Sequence, residues 1–262
     1  MSGRSSRENR RRALEEARQR QRRKRRLLLA GGAAVVVLAG AGIGLGLGLS
    51  GSGSGPGSTP ATAAGGTASY APLSSLGPLT AAPSAGALGP EAVPVPAGAA
   101  ALAGTSPATA GQAIDGINCQ TSEQTIFHIH THLTLFVNGQ QRQVPAGIGI
   151  PDAVAQQTQA GPFVDSGSCF YWLHTHAADG IIHIESPVKR TYTLGEFFDE
   201  WGQPLSSSQA GPARGKVTVI VNGQVFKGDP RAVPLGSREN LQVEVGTPLV
   251  AAETINWAST GL

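Results

Sequence analysis

The segment IFHIHTHLTLFV at residues 126–137 is rich in β-branched and aromatic side chains and runs directly into Asn138-Gly139. A run of this kind closed by Asn-Gly predicts a strand entering a tight hairpin. Alternate residues of a strand face the same side. His128, His130 and His132 therefore share one face of whatever sheet this strand joins. A row of imidazoles is a poor choice for a core, but it suits a first-row divalent ion, which needs ring nitrogens held a few ångströms apart.

The same pattern recurs downstream. All six histidines fall in three short strings, the other two being His174-Thr-His176 and His183-Ile-Glu185. Further strands are expected at 169–176, 181–185, 216–221 and 241–245. If Asp179-Gly180 is a two-residue turn, opposed residues sum to 359, so His176 faces His183 and His174 faces Glu185. Directly opposed side chains have Cβ atoms about 4.5–5.5 Å apart, close enough to share an ion. A three-residue loop would make the sum 358 and move His183 to the other face. The expected ligands are thus His174, His176 and His183 with one or more of His128, His130 and His132. Glu185 is either a further ligand or an orienting partner.

One helix is well marked. Thr193 and Glu196 stand in capping-box spacing, Tyr192 and Phe197 are placed for a hydrophobic staple, and Gly202 and Pro204 supply the stop. The stretch TLGEFFDEWG is then a short helix burying Phe197, Phe198 and Trp201. Two segments, HLTLFVNGQQRQVPAGIGI and KVTVIVNGQVFKGDPRAVPLG, echo one another, and Asn222-Gly223 marks a second hairpin. The predicted class is mainly β with one short helix (α+β), and hairpin, helix, strand, strand over 169–245 suggests a β-grasp-like half.

Everything before this domain has a different composition. Residues 1–26 contain twelve Arg or Lys against Glu8, Glu15 and Glu16, a net of +9 in a chain whose total is +3. The remainder is therefore −6, which argues against a nucleic-acid partner, whose basic footprint belongs on the folded surface. Residues 27–49 are 23 positions without a charge, long enough to span a bilayer as a helix. The upstream cations place residues 1–26 in the cytoplasm. A cleaved signal peptide is the alternative, but its apolar region is usually about 7–15 residues. From 50 to 113 the chain is Gly, Ala, Ser, Thr and Pro with few large apolar groups, and up to Gly111 its only charge is Glu91. It reads as a disordered stalk, leaving 114–262 as the folded, extracytoplasmic part. The expected partners are thus the lipid bilayer, through 27–49, and a metal ion.

The two cysteines, Cys119 and Cys169, are expected to form a disulfide outside the membrane, with thiolate ligation as the alternative. Met1 is the only methionine, so thioether coordination of Cu(I) is excluded, while zinc, Cu(II), nickel and non-haem iron remain open. No Cys-x-x-Cys, Gly-x-Ser-x-Gly, P-loop or dinucleotide fingerprint occurs in the folded part.

Three segments carry a family resemblance: CFYWLHTH from Cys169, DGIIHIESP from Asp179 and YTLGEFFDEWG from Tyr192. With His130-Thr-His132-Leu and VPAGIGI, they make residues 117–246 resemble an uncharacterised family of membrane-anchored, extracytoplasmic bacterial and archaeal proteins. The resemblance implies a location and a domain boundary, and no mechanism. In such relatives an acidic residue often follows the second histidine of the His-Thr-His string, where this chain has Ala177.

These readings point first to a membrane-anchored domain that binds a divalent transition metal without catalysing a reaction. A metalloenzyme with an open coordination position is the second class. A structural or interaction module with non-ligating histidines is the third.

Overall fold

The computed structural model describes residues 68–105 and 111–262. The basic tail (1–26), the apolar segment (27–49) and residues 50–67 lie outside the described residues. No helix among the described residues is long and apolar enough to cross a membrane.

In chain order the strands are β1 (Tyr70–Pro72), β2 (Phe127–Val137), β3 (Gln140–Arg142), β4 (Val154–Thr158), β5 (Gly161–Ser166), β6 (Leu173–His174) and β7 (Ile181–Ser186). After helix α1 (Leu194–Glu200) come β8 (Leu205–Ser206), β9 (Gln209–Ala210), β10 (Ala213–Arg214), β11 (Val217–Val221), β12 (Gln224–Phe226) and β13 (Glu239–Val245). The described residues are mainly β with one short α-helix, as expected for that part of the chain.

Both Asn-Gly turns form. Val137 pairs with Gln140 and Val221 with Gln224, and all four turn residues have φ between +48° and +77°, the left-handed conformation these two-residue turns require. The two echoing segments are thus two hairpins of one sheet. Its order is β1-β12-β11-β13-β2-β7-β6, with β3 on β2. The pairing of β2 with β13 is parallel, and the other pairings are antiparallel. The parallel central pair therefore uses β2, which lies outside the 169–245 half suggested by the sequence.

Period-two alternation divides the sheet into two faces. Leu133 and Leu135 of β2, Ile182 and Ile184 of β7, Val217, Val219 and Val221 of β11, and Leu241, Val243 and Val245 of β13 join one buried apolar cluster. The cluster includes Phe197, Phe198 and Trp201 from α1 and its C-cap. Capping fixes where that helix starts. Glu196 N donates to Thr193 Oγ1 (3.3 Å) and Thr193 N donates to Glu196 Oε2 (2.8 Å). The opposite face carries His130, Thr134, His183, Glu185, Gln242 and Glu244, and it too is buried.

The segment read as a stalk packs against this sheet, and for residues 68–105 that reading does not hold. β1 pairs with β12, Val93 is fully buried, Leu102 N donates to Gln143 O, and Trp201 Nε1 donates to Gly104 O. Small side chains here permit close backbone packing. A Cβ on Gly86 would lie 1.7 Å from Val95 O, far inside any tolerable contact. Composition suggested disorder because few large apolar groups are present, but backbone hydrogen bonds to a preformed sheet offset the ordering cost.

The strand expected at 169–176 shrinks to Leu173–His174, and the two-residue turn at Asp179-Gly180 is not formed. Leu173 pairs with Ile184 and His174 with His183, so opposed residues sum to 357, and residues 175–180 form a longer loop. The shift from 359 is two, an even number, so His183 stays on the face of His174.

Candidate metal centre

Pairing across β2, β7 and β6 assembles the centre. His130 lies opposite His183 and His128 opposite Glu185, while His174 lies opposite His183 from the other side. His176, just beyond β6, still reaches inward, its ring centroid 4.5 Å from that of His183. Donor atoms fall into two quartets, each with all atoms within 4.8 Å of one another. They are His128, His130, His183, Glu185 and His174, His176, His183, Glu185.

In the first quartet four of the six donor–donor spacings are those of a coordination shell, and all six lie within 4.8 Å. His128 Nε2 is 3.0 Å from His130 Nε2 and 3.0 Å from Glu185 Oε1. His183 Nδ1 is 3.1 Å from His130 Nε2 and 3.3 Å from Glu185 Oε1. Donors around a tetrahedral zinc with bonds of about 2.0–2.1 Å sit roughly 3.3 Å apart.

In the second quartet the tautomers are fixed by what the rings face. His174 Nδ1–H donates to Tyr171 O (2.8 Å), and His176 Nδ1–H donates to Val164 O (2.5 Å). A carbonyl can only accept, so the remaining Nε2 atoms of these neutral rings carry lone pairs. Those two lone-pair nitrogens face one another at 3.1 Å. Two acceptors at that distance repel unless a cation lies between them, and a backbone carbonyl on the far nitrogen is the usual support of a metal-bound histidine.

Electrostatics keeps most of these rings neutral. Burial, then the neighbouring His183 and His128, lowers His130 to about 3. Burial followed by the other rings also takes His174 well below the ordinary histidine range. His176 is lowered chiefly by burial. His183 differs. Burial alone would lower it, but its hydrogen bonds to Glu185 and Glu91 outweigh that and raise it to about 9.

Glu91 was missed by sequence reasoning. Its Oε1 is 2.6 Å from His183 Nε2, and the residue is buried at 8% exposure. The sequence held one signal, since Glu91 is the only charged residue between 50 and 111. Glu123 was missed as well. Its Oε1 lies 3.5 Å from His176 Nε2, and burial followed by the Glu185 charge raises its carboxyl.

One expected residue stands apart. His132 pairs across the sheet with Ile181, beyond the cluster, and its Nε2–H donates to Asp179 O at 3.0 Å. Together with Thr134 and Asp179 it lines a separate cavity of about 270 Å³. Cys119 and Cys169 are disulfide-bonded, with Cα atoms 5.4 Å apart, so the thiolate alternative falls.

No family model matches the chain, and no curated protein or solved structure matches it.

Proposed function

We propose that this protein holds a divalent transition metal on the polar face of its sheet, on a domain tethered outside a membrane by residues 27–49. The metal reading is carried by the His174 and His176 pair. Two Nε2 lone pairs face each other at 3.1 Å with both Nδ1 atoms committed to backbone carbonyls. That arrangement costs free energy without a cation and gains it with one. Imidazole with carboxylate suits zinc, Cu(II), nickel or iron.

The location rests on the sequence. An uncharged stretch of 23 residues follows twelve cations, the pattern of a single-pass anchor with a cytoplasmic N-terminus. A disulfide agrees with an oxidising compartment, and so does the resemblance to a membrane-anchored extracytoplasmic family. Holding or sensing a metal is favoured over turnover. The donors are buried except at His128 and Glu123, whose side chains are 39% and 38% exposed, and the 270 Å³ cavity is lined by His132 and not by the clustered rings.

The experiment is metal analysis of the full-length chain, purified in detergent without a His tag. A transition metal should be retained through dialysis, and His176→Ala should weaken its binding. A wild-type protein that neither retains nor takes up such a metal would contradict the reading. Protease treatment of intact cells should leave residues 1–26 protected, whereas a mature form beginning near Ala64 would remove the anchor.

A further inference from the structure

The two quartets share His183 and Glu185 but otherwise use different pairs, His128 with His130 and His174 with His176. Six donors around one octahedral ion would all fall within about 4.2 Å of one another, given bonds near 2.1 Å. These six instead divide into two sets at a limit of 4.8 Å. Glu185 sits where the sets meet. Its Oε1 is committed to the first, 3.0 Å from His128 Nε2 and 3.3 Å from His183 Nδ1. Its Oε2 is buried and has no hydrogen-bond partner among the described residues. A buried carboxylate oxygen left alone is costly, and a carboxylate has the reach to join two ions about 3.5–4 Å apart.

We infer that the centre binds two divalent transition-metal ions bridged by Glu185, an inference that rests on the metal reading above and adds its nuclearity. The first ion takes His128 Nε2, His130 Nε2, His183 Nδ1 and Glu185 Oε1. The second takes His174 Nε2, His176 Nε2 and Glu185 Oε2, and Glu123 is placed to complete it from 3.5 Å off His176. Glu91 is then the outer carboxylate that accepts the Nε2–H of His183 and holds that ring toward the first ion. Three carboxylates, Glu91, Glu123 and Glu185, give a total of −3. One divalent ion leaves that charge at −1 and two leave it at +1, so the carboxylates accommodate two ions as well as one, and the geometry at Glu185 decides the number.

Zinc is the probe. Full-length chain, untagged and stripped with a chelator, should take up two zinc ions per chain with high affinity. His128→Ala and His174→Ala should each reduce this to one, and His132→Asn should leave it at two. His128 is part-exposed, so its variant keeps the test sound even if the fully buried His174 position does not tolerate change. Loaded with Co(II), the wild type should show magnetic coupling between the ions, and Glu185→Gln should abolish it. One zinc per chain in the wild type overturns the two-ion inference and leaves the metal reading standing. No zinc overturns both. Two ions that persist in both histidine variants place the metal elsewhere and also overturn the inference.

Discussion

The Cys119–Cys169 bond closes a loop of 50 residues, and that loop contains β2, the strand with three of the six histidines. In the chain-entropy relation a loop of this length stabilises the fold by about 4 kcal/mol. Against a typical domain stability of roughly 5–15 kcal/mol, that is a large share. Replacing both cysteines by serine removes the cross-link and leaves the local pairing, in which Gln120 and Phe170 exchange backbone hydrogen bonds of 2.9 and 2.7 Å. With a urea m-value of roughly 1–3 kcal/mol per molar, the midpoint of the double variant should fall by about 1.5–4 M. Metal affinity should fall with it. β6 is only two residues long, and the bond anchors the chain just before it, so His174 loses a restraint on its approach to His183. Urea unfolding of the wild-type and variant chains, followed by tryptophan fluorescence, measures the shift directly. A loss below about 1 kcal/mol would refute the loop-entropy reasoning. Two titratable thiols in the unfolded, non-reduced wild type would refute the bond itself.

Glu91→Gln should weaken zinc binding about 10–100-fold, because a neutral amide replaces the carboxylate that orients His183; unchanged affinity in a competition titration would remove Glu91 from the centre. Glu200 is fully buried, accepts from Leu173 N, and has its pKa raised well above the ordinary value, chiefly by burial. A raised folded-state pKa contributes stability below the unfolded value of about 4.3 and loses it as pH rises, by up to about 1.4 kcal/mol per pH unit. Glu200→Gln should therefore be less sensitive than wild type to raising the pH from about 5 to about 8, and parallel urea midpoints across that range would contradict this. Thr193→Ala breaks the capping box and should cost about 1 kcal/mol, within a range of roughly 0.5–2, without changing zinc affinity. An affinity change in that variant would show that α1 bears on the centre.

What the sequence revealed was local. β2 could be read because its period of two sorts imidazoles from aliphatic residues. Both Asn-Gly hairpins and the Thr193 cap depend only on residues within a few positions, and those elements formed where expected. What stayed hidden was non-local. Nothing in His183-Ile-Glu185 says that β2, some 50 residues earlier, lies beside it, yet that pairing puts His130 opposite His183. The register at β6 was misread because its loop spans 175–180 and not two residues. The close approach of Gly149, whose Cβ would lie 2.3 Å from Leu173 O, depends on a segment some 25 residues upstream. His132 obeys the alternation but pairs with Ile181 at the far end of β7, where an Asp179 carbonyl engages its ring. Residues 68–105 misled because small side chains signal flexibility in an isolated chain and close packing against a sheet. Glu91 went with them.

X-ray absorption at the zinc K-edge of the full-length, zinc-loaded chain tests the central claim most directly. Imidazole ligation should give a nitrogen and oxygen shell at about 2.0–2.1 Å, with ring scattering from two to three histidines per ion and no sulfur. A shell of oxygen alone, or one containing sulfur, would contradict a centre built from His128, His130, His174, His176, His183 and Glu185.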